Sequence, residues 1–312
     1  VSKSTFVNNT ATSKIDGGGA IFYGYPSYSD QHYADIVDCK FIDNYAECGG
    51  VVYTDSRVIM TNCEAINNRA LNAGVIYASS SAVLINSTFK NNSAVSYGVV
   101  NSNQALTITQ STFIDNHADN DSAVLRCEFG GTIKHSTFIN NTAGKSSAVG
   151  YILVHVTGNL DVTNCTFTNN TAKNDAGTLN VDGKGQFTDC KFIGNRASNV
   201  GGALKISSDG RITNCEFIDN HVNGSGGAIL FEGAGVLTNC NFPDNSAAKG
   251  GAVYITGQGT IKKCTFISNS VEDEGGAVLL KSTGSSTNSK FIENTAEIGG
   301  AISVYNSLTL SG

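Results

Sequence analysis

The chain has 312 residues and a formal net charge of −6, so it lacks the excess of basic residues that binding to nucleic acid or anionic lipid requires. Glycine is frequent, with 35 residues, whereas there are only 2 prolines, which indicates many turns and no proline-rich linker. No apolar run approaches the roughly 20 residues of a membrane-spanning helix. We therefore expect neither nucleic-acid binding nor membrane insertion within this segment.

A short motif, Cys/Ser-x-Phe-x-x-Asn, recurs about every 24 to 25 residues along the whole chain. The Phe position is occupied by Phe6, Phe41, Ala65, Phe89, Phe113, Phe138, Phe167, Phe192, Phe217, Phe242, Phe266 and Phe291. The asparagine three residues later is Asn9, Asn44, Asn68, Asn92, Asn116, Asn141, Asn170, Asn195, Asn220, Asn245, Asn269 and Asn294. A fixed period of this length predicts stacked units, none of which can bury its apolar face alone.

Each repeat contains short apolar segments separated by turn residues. In residues 212–236, segments of three to six residues are divided by Asp219-Asn220, by Gly226-Gly227 and by a second glycine-containing turn. Such segments are too short for helices and have the length of strands. The sequence therefore predicts an all-β fold, a parallel β-helix solenoid of about twelve coils of 24–25 residues, in which equivalent residues form columns.

The columns have different predicted roles. The Phe column is expected to form the core, and a column of small residues such as Ala46 and Ala70 is expected where the chain re-enters the next coil. The asparagine column is expected to form a ladder of stacked amides at a turn, because asparagine tolerates left-handed backbone. The Gly-Gly-Ala element, as at 226–228, is interpreted as a tight turn with close coil packing and not as a phosphate loop.

Seven of the nine cysteines lie two residues before the Phe position. They are Cys39, Cys63, Cys165, Cys190, Cys215, Cys240 and Cys264, while Ser4, Ser87, Ser111, Ser136 and Ser289 occupy the same position elsewhere. Stacked neighbours have parallel Cβ vectors, a poor geometry for disulfides. We therefore predict buried free thiols. No C-x-x-C motif is present, and we expect neither a metal site nor a cofactor.

The combination of Phe-x-x-Asn with Gly-Gly-Ala resembles the repeats of the chlamydial polymorphic outer-membrane proteins. The phrases at 140–143 (Asn-Asn-Thr-Ala) and 165–167 (Cys-Thr-Phe) are even more similar to the adhesin-like surface proteins of methanogenic archaea. This resemblance implies a right-handed helix, secretion, and an adhesive or cell-envelope role at the cell surface. Because Val1 and Leu310 fall at the same phase of the repeat, we interpret residues 1–312 as one solenoid segment of a longer protein, able to self-associate through its ends.

An enzyme on this scaffold would need carboxylates on adjacent coils along one outer face. In the column two residues after Phe, Asp219 and Asp244 are the carboxylates in adjacent coils; a solvated turn and a weak calcium site are the two interpretations. In the column before Phe, Lys40 is predicted to pair with Glu64, and Lys191 with Glu216. These patterns do not predict catalytic residues, and we do not expect an enzyme.

The largest departure from the repeat is an insert of about ten residues at 23–33. Inserts in solenoids form surface loops, and tyrosine provides broad amphipathic contact area. We predict that this loop binds a cell-surface glycan or a protein ligand; the alternative is a loop that packs its own rings over the core. The predicted binding residues are Tyr23, Tyr25, Tyr28, His32 and Tyr33.

Three classes of function follow from these patterns. The first is an extracellular, adhesin-like protein of the cell surface or envelope, which attaches to cells or glycans. The alternatives are a carbohydrate-active β-helix enzyme, of the polysaccharide lyase or glycosidase type, and a passive structural filament. A groove with clustered carboxylates would favour the enzyme, whereas aromatic side chains exposed on one face would favour the adhesin.

Overall fold

The computed structural model describes residues 1–13, 17–24, 32–155 and 158–312. Within these residues every regular element is a β-strand, and the strands form a parallel β-solenoid of about eleven turns. The predicted all-β parallel solenoid is therefore confirmed. The chain divides into two compact units, unit 1 (Val1–Gly158) and unit 2 (Asn159–Gly312). In the described part of the chain, no helix is long and apolar enough to cross a membrane.

Unit 1 contains four parallel sheets, which the chain visits in turn. Sheet I carries the Phe position and consists of Thr5–Val7, Lys40–Ile42, Glu64–Ile66, Thr88–Lys90, Thr112–Ile114 and Thr137–Ile139. Sheet II consists of Tyr45–Cys48, Arg69–Asn72, Ser93–Ser96, His117–Ala118 and Thr142–Ala143. Sheet III consists of Ile21–Tyr23, Val52–Thr54, Ile76–Ala78, Val100–Ser102, Leu125–Cys127 and Gly150–Leu153. Sheet IV consists of Tyr33–Val37, Arg57–Thr61, Ala82–Ile85, Leu106–Thr109 and Gly131–Lys134.

Unit 2 repeats the same four sheets. Sheet I consists of Thr166–Thr168, Lys191–Ile193, Glu216–Ile218, Asn241–Pro243, Thr265–Ile267 and Lys290–Ile292. Sheet II consists of Thr171–Ala172, Arg196–Ala197, His221–Val222, Ser246–Lys249 and Ser270–Glu274. Sheet III consists of Leu179–Asp182, Leu204–Ile206, Ile229–Phe231, Val253–Ile255, Val278–Leu280 and Ile302–Val304. Sheet IV consists of Leu160–Thr163, Gly185–Thr188, Gly210–Thr213, Gly235–Thr238, Gly259–Lys262, Gly284–Thr287 and Leu308–Ser311.

The register places equivalent residues of successive turns directly beside one another, so the Phe position becomes a column of stacked rings. From Phe167 to Phe291 in unit 2, neighbouring ring centroids are 4.6–5.0 Å apart and the rings are nearly parallel. In unit 1 the column is interrupted where Ala65 replaces the ring. Phe217 and most other members are fully buried, which confirms the Phe column as core.

In each turn, left-handed backbone flanks the sheet I strand on both sides. The residue before the Cys/Ser position has a positive φ, as in Asn214 (54°), and so does the residue two after Phe, as in Asp219 (49°). The sequence prediction placed this conformation on the invariant asparagine, Asn220, which was wrong by one residue. Directly before the invariant asparagine, Asp, Asn and Gly predominate because these residues adopt the left-handed region most readily.

The invariant asparagines form a buried amide ladder, as predicted. The main-chain N–H and the Nδ2 of Asn195 both donate to Oδ1 of Asn220, at 3.1 and 3.0 Å. The Nδ2 of Asn220 in turn donates to the carbonyl oxygen of Phe192 at 2.9 Å and to Oδ1 of Asn245 at 3.1 Å. Asn220 is fully buried. An aspartate would lack the Nδ2 donor, so the ladder requires an amide at every turn.

A second ladder explains why cysteine and serine exchange. The Sγ of Cys215 donates to the carbonyl oxygen of Thr213 at 3.2 Å and accepts the main-chain N–H of Cys190 at 3.3 Å. Ser87 makes the equivalent bond to Ile85 at 2.9 Å and accepts the N–H of Cys63. None of the nine cysteines forms a disulfide, and the seven in this column are buried thiols, as predicted. The position therefore selects a small side chain that both donates and accepts.

The Gly-Gly-Ala element is a site of close backbone approach. The first glycine, such as Gly226, has a positive φ of 74°. A Cβ on the second glycine, Gly227, would lie 1.8 Å from the carbonyl oxygen of Gly251 in the next turn, a distance that no side chain can occupy. This confirms the interpretation as a tight turn with close coil packing.

The amide ladder leads to a prediction about stability. Replacing Asn220 with Ala removes the acceptor of two donors of Asn195 and the donor to Phe192, and each orphaned buried group costs about 1–3 kcal/mol. We expect a loss of about 3 kcal/mol or more, with amides of the adjacent turns losing protection first, because coupling in a solenoid is between neighbours. Hydrogen exchange followed by mass spectrometry measures this. The exposed Asn223→Ala is the control, and an equal effect of both variants would contradict the ladder's role.

The thiol ladder leads to a second prediction. Cys215→Ser keeps both hydrogen bonds and should change the free energy of unfolding by less than about 1 kcal/mol, whereas Cys215→Ala leaves the Cys190 N–H without an acceptor and should cost about 1–3 kcal/mol. Urea denaturation compares the two. The column thiols should resist alkylation until the chain unfolds, because all seven are buried and the reagent cannot reach them. At Cys63 burial also raises the pKa, to about 11. Rapid labelling of the folded chain would argue against this arrangement.

Candidate functional site

The predicted tyrosine-rich loop is only partly described. Tyr25 and Tyr28 lie outside the described residues, so their predicted role stays a prediction. Tyr23 ends the first strand of sheet III, where it aligns with the buried Thr54 and so belongs to the inward column. His32 is half-buried, and Tyr33, which is 46% exposed, begins the first strand of sheet IV. The structure thus attaches the two ends of the loop to two different sheets.

Beside Tyr23 begins a column of outward-facing side chains along sheet III of unit 1. We call it the outer column, and its members are Phe22, Tyr53, Tyr77, Asn101, Arg126 and Tyr151. The direction follows from alternation along each strand: Ile76 and Ala78 are fully buried, so the intervening Tyr77 faces away from the core. The register alone places these six side chains in one line.

The first three members of the outer column are stacked rings. The centroids of Phe22 and Tyr53 are 5.7 Å apart and those of Tyr53 and Tyr77 are 5.2 Å apart, with interplanar angles of 16° and 5°. Phe22 is 56% exposed, whereas Tyr53, between the other two rings, is 7% exposed. Stacking holds the rings in one orientation. A ligand that binds them therefore does not have to immobilise these side chains, and less conformational entropy is lost on binding.

Farther along the outer column the side chains become polar and charged. The Arg126 guanidinium donates to Asn101 Oδ1 at 3.1 Å, pairs with Glu128, and lies 5.1 Å from the centroid of the Tyr97 ring. These contacts hold a cation whose side chain is 19% exposed in one position. Because Arg126 is held on three sides, its remaining N–H groups are oriented in advance for a ligand.

A surface cavity of about 200 Å³ opens next to Arg126. It is lined by Tyr97, Asp121, Arg126, Ser146 and Tyr151. Two phenol rings, a hydroxyl, a carboxylate and a guanidinium supply apolar faces together with donors and acceptors of hydrogen bonds. This is the composition expected of a site for a polar ligand with many hydroxyl groups, in which a few placed polar groups fix orientation.

In unit 2 the equivalent column is closed by ion pairs. The Lys205 ammonium lies between Asp175 and Glu232, at 3.4 and 3.3 Å. Burial acts to lower the pKa of Lys205, but the attraction of the two carboxylates outweighs it and the pKa is raised. Two other members of this column, Leu230 and Leu279, are buried. Among the described residues, aromatic side chains therefore predominate on the outward face of sheet III in unit 1, whereas the column in unit 2 contains one, Tyr254.

A second charged network covers the end of sheet III in unit 2. Glu274, whose side chain is 7% exposed, accepts hydrogen bonds from Lys281 at 2.9 Å and from the Tyr305 hydroxyl at 2.8 Å. Burial acts to raise the pKa of Glu274, yet these bonds outweigh it and the pKa is lowered. The Lys281 ammonium also lies 3.5 Å from the centroid of the Tyr305 ring. All the groups of this network are engaged with one another, which indicates a structural role.

The other columns considered in the sequence lie at the surface. Lys40 pairs with Glu64, and Lys191 with Glu216, both at 2.9 Å, as predicted. Asp219 and Asp244 occupy exposed left-handed turn positions, and Asp219 lies 3.5 Å from Arg196. No cluster of three or more His, Cys, Asp or Glu side chains with metal-binding geometry occurs in the described residues.

Sequence reasoning missed the outer column, although a signal for it was present. The Gly-Gly-Ala element and its degenerate forms are followed by an alternating strand such as Val52-Tyr53-Thr54 or Ile76-Tyr77-Ala78. Alternation predicts that the middle residue faces outward. The outward columns predicted from the sequence were those next to Phe, and they do not include the tyrosines of sheet III.

Comparison with known proteins identifies the family to which this architecture belongs. The model of the family described as "Right handed beta helix region" matches residues 122–296, more than half of the chain. No curated protein and no solved structure matches the chain. The parallel solenoid and its stacked columns agree with the family match. The chain therefore belongs to the right-handed β-helix family.

Proposed function

We propose that this chain is part of an adhesin-like, extracellular protein of the cell surface, which attaches to a glycan along the outer column of unit 1. One observation carries the proposal: stacked rings, an amide, a guanidinium and a further ring follow one another in register on one outward face. Such an arrangement is not needed by the core, which is complete on the inner side of the same strands.

A glycan fits this face better than a compact ligand. The column repeats at the spacing of the turns, with ring centroids 5.2–5.7 Å apart, and a linear polysaccharide is likewise a repetitive ligand. The hydroxyls of Tyr77 and Tyr151 and the Arg126 guanidinium can donate to or accept from sugar hydroxyls, while the buried Asn101 holds Arg126 in place. Phe22 and the edges of the tyrosine rings provide apolar contact.

The cellular location in this proposal is supported by the resemblance of the repeat phrases to archaeal adhesin-like and chlamydial outer-membrane proteins. None of the nine cysteines forms a disulfide, and serine replaces cysteine in the same hydrogen-bonded position. The fold therefore needs no disulfide to hold this column together.

A carbohydrate-active enzyme is the second candidate, and one observation favours it. Asp121 lines the cavity beside Arg126 and Tyr151, and a carboxylate next to a bound sugar can act as an acid or a base. Binding is preferred because a glycosidase needs two carboxylates that flank the scissile bond. Asp121 is the one carboxylate among the described lining residues, and the nearby Glu128 is paired with Arg126. Release of reducing or unsaturated ends from a bound polysaccharide would favour the enzyme.

The proposal predicts the effect of two substitutions. Tyr77→Ser and Tyr151→Ser, combined, should weaken attachment to cells or to an immobilised glycan at least about ten-fold, since aromatic anchors often contribute about 2 kcal/mol or more to binding. A glycan array identifies the ligand, and titration calorimetry then gives the dissociation constant. The melting temperature should change little, because both side chains face outward.

The chain offers a matched control. Tyr254 occupies the same position on sheet III of unit 2, beside the buried Leu230, so Tyr254→Ser should leave attachment unchanged. Tyr25→Ser together with Tyr28→Ser tests the separate prediction that the 23–33 loop binds. Normal attachment by the Tyr77 and Tyr151 double variant would reject the outer column, and an equal loss with Tyr254→Ser would show a general surface effect.

A further inference from the structure

A second outward column, on sheet IV of unit 1, contains a cation with space beside it. Tyr33 and Arg57 are paired in register, and Val58, the next residue, is fully buried, so Arg57 faces outward. In the next two turns the equivalent positions are occupied by the small residues Ser81 and Ala105, which precede the strand residues aligned with Val58. Small side chains after a long one leave room for the guanidinium to extend along the column.

This room is a surface cavity of about 650 Å³. It is lined by Arg57, Ser79, Ser80, Ser81, Val83, Gln104, Ala105 and Thr107. Among the described residues the lining contains hydroxyls, an amide and a guanidinium but no carboxylate. The volume falls within the range of about 300–1,000 Å³ that ligand pockets occupy, and the one formal charge among these lining residues is positive.

The Arg57 guanidinium has an unused hydrogen-bond donor. Its Nε–H is buried and has no hydrogen-bond partner within the described residues. No carboxylate in the described part of the chain lies within ion-pair distance of Arg57; the ion pairs of unit 1 there are Lys40–Glu64, His117–Asp119 and Arg126–Glu128. A buried donor without an acceptor costs free energy, which an incoming acceptor would recover.

We propose that this cavity binds an oxyanion, a carboxylate or a sulfate group, carried on a saccharide. The Nε–H and one Nη–H of arginine form a planar fork that matches two oxygens of such a group. The hydroxyls of Ser79, Ser81 and Thr107 can donate to the remaining oxygens and to the sugar. The saccharide carrier rests on the proposed function, whereas the preference for an anion rests on Arg57 and its surroundings alone.

The outer column and this cavity differ in chemistry, so their ligand groups differ. Around Arg126 two carboxylates, Asp121 and Glu128, accompany a single cation, which disfavours a negatively charged group. Around Arg57 no carboxylate lines the cavity within the part of the chain that the structure describes. We therefore expect neutral sugar units to bind on sheet III and negatively charged units to bind on sheet IV. Because the two sites prefer different groups, they can be tested separately.

The experiment is titration calorimetry on the full chain with three probes. These are a glucuronate oligosaccharide, the same oligosaccharide after reduction of its carboxylates to neutral alcohols, and inorganic sulfate. We expect the acidic oligosaccharide to bind, its affinity to fall with rising salt, and the reduced form to bind at least about ten-fold more weakly. Competition by inorganic sulfate alone would assign the cavity to the anion itself, and failure of sulfate to compete would assign it to the acidic sugar.

Three variants make the result specific. Arg57→Gln should lower the affinity for the acidic oligosaccharide at least about ten-fold, and Ala105→Phe should do so by filling the cavity while the guanidinium is kept. Arg69→Gln removes an exposed charge from the same unit and should have no effect. Equal affinities of wild type and Arg57→Gln, equal losses with Arg69→Gln, or no binding of any anionic probe would each overturn the proposal. The Tyr77→Ser and Tyr151→Ser double variant leaves this site intact. It therefore tests attachment through the outer column independently of anion binding at Arg57.

Discussion

The buried asparagine ladder is the interaction on which the rest of the structure depends. At each turn the chain leaves sheet I through a left-handed residue, and the next main-chain N–H points into the interior, where water cannot reach it. The amide of the following turn accepts that N–H, and at the same time its own Nδ2 satisfies the carbonyl of the preceding Phe. One asparagine side chain thus makes three hydrogen bonds, to a main-chain N–H, to the Nδ2 of the neighbouring asparagine and to a Phe carbonyl. The turn can therefore repeat without variation, and the Phe rings of unit 2 stack 4.6–5.0 Å apart as a consequence.

A uniform interior leaves the exterior free to vary. The inward positions of sheet III are occupied by small or apolar side chains in nearly every turn, whereas the outward position changes from tyrosine to asparagine, arginine, leucine and lysine. In unit 1 these substitutions produce an accessible aromatic line with a cavity at Arg126, and in unit 2 they produce closed ion pairs at Lys205 and Glu274. Function in such a protein is therefore expected in the columns that do not repeat.

The fold was predictable from the sequence because its determinants are local and periodic. Phe217, Asn220 and Gly226 each recur at the same phase, and their roles in the core, the ladder and the turn follow from side-chain chemistry. The position of the left-handed residue was misassigned because Asn-Asn and Asp-Asn pairs leave two candidates, and the hydrogen-bond partner that decides between them lies in the next turn.

The candidate site was less predictable because it depends on contacts between turns. Tyr53 and Tyr77 are 24 residues apart in sequence, and only the register shows that their rings stack. The cavity beside Arg57 could not be predicted from its own strand either. It is present because Ser81 and Ala105, in later turns, have small side chains. The insert at 23–33 is visible in the sequence because it interrupts the repeat. The outer column and the Arg57 cavity lie in the regular part of the repeat, where no such interruption marks them.

The free thiols have a mechanical consequence. The proposed attachment to cells would place this protein under tension, and in many extracellular domains disulfides stop the chain from extending. Here none of the nine cysteines forms a disulfide, so neighbouring turns are joined by non-covalent contacts alone: hydrogen bonds, stacked rings, apolar packing and ion pairs such as Lys40–Glu64. Under tension the turns can detach one after another from an end, each releasing a similar length of chain, and each can reform when the load falls, because no covalent bond has to be broken or remade. The array would then act as an extensible tether that absorbs load in equal steps.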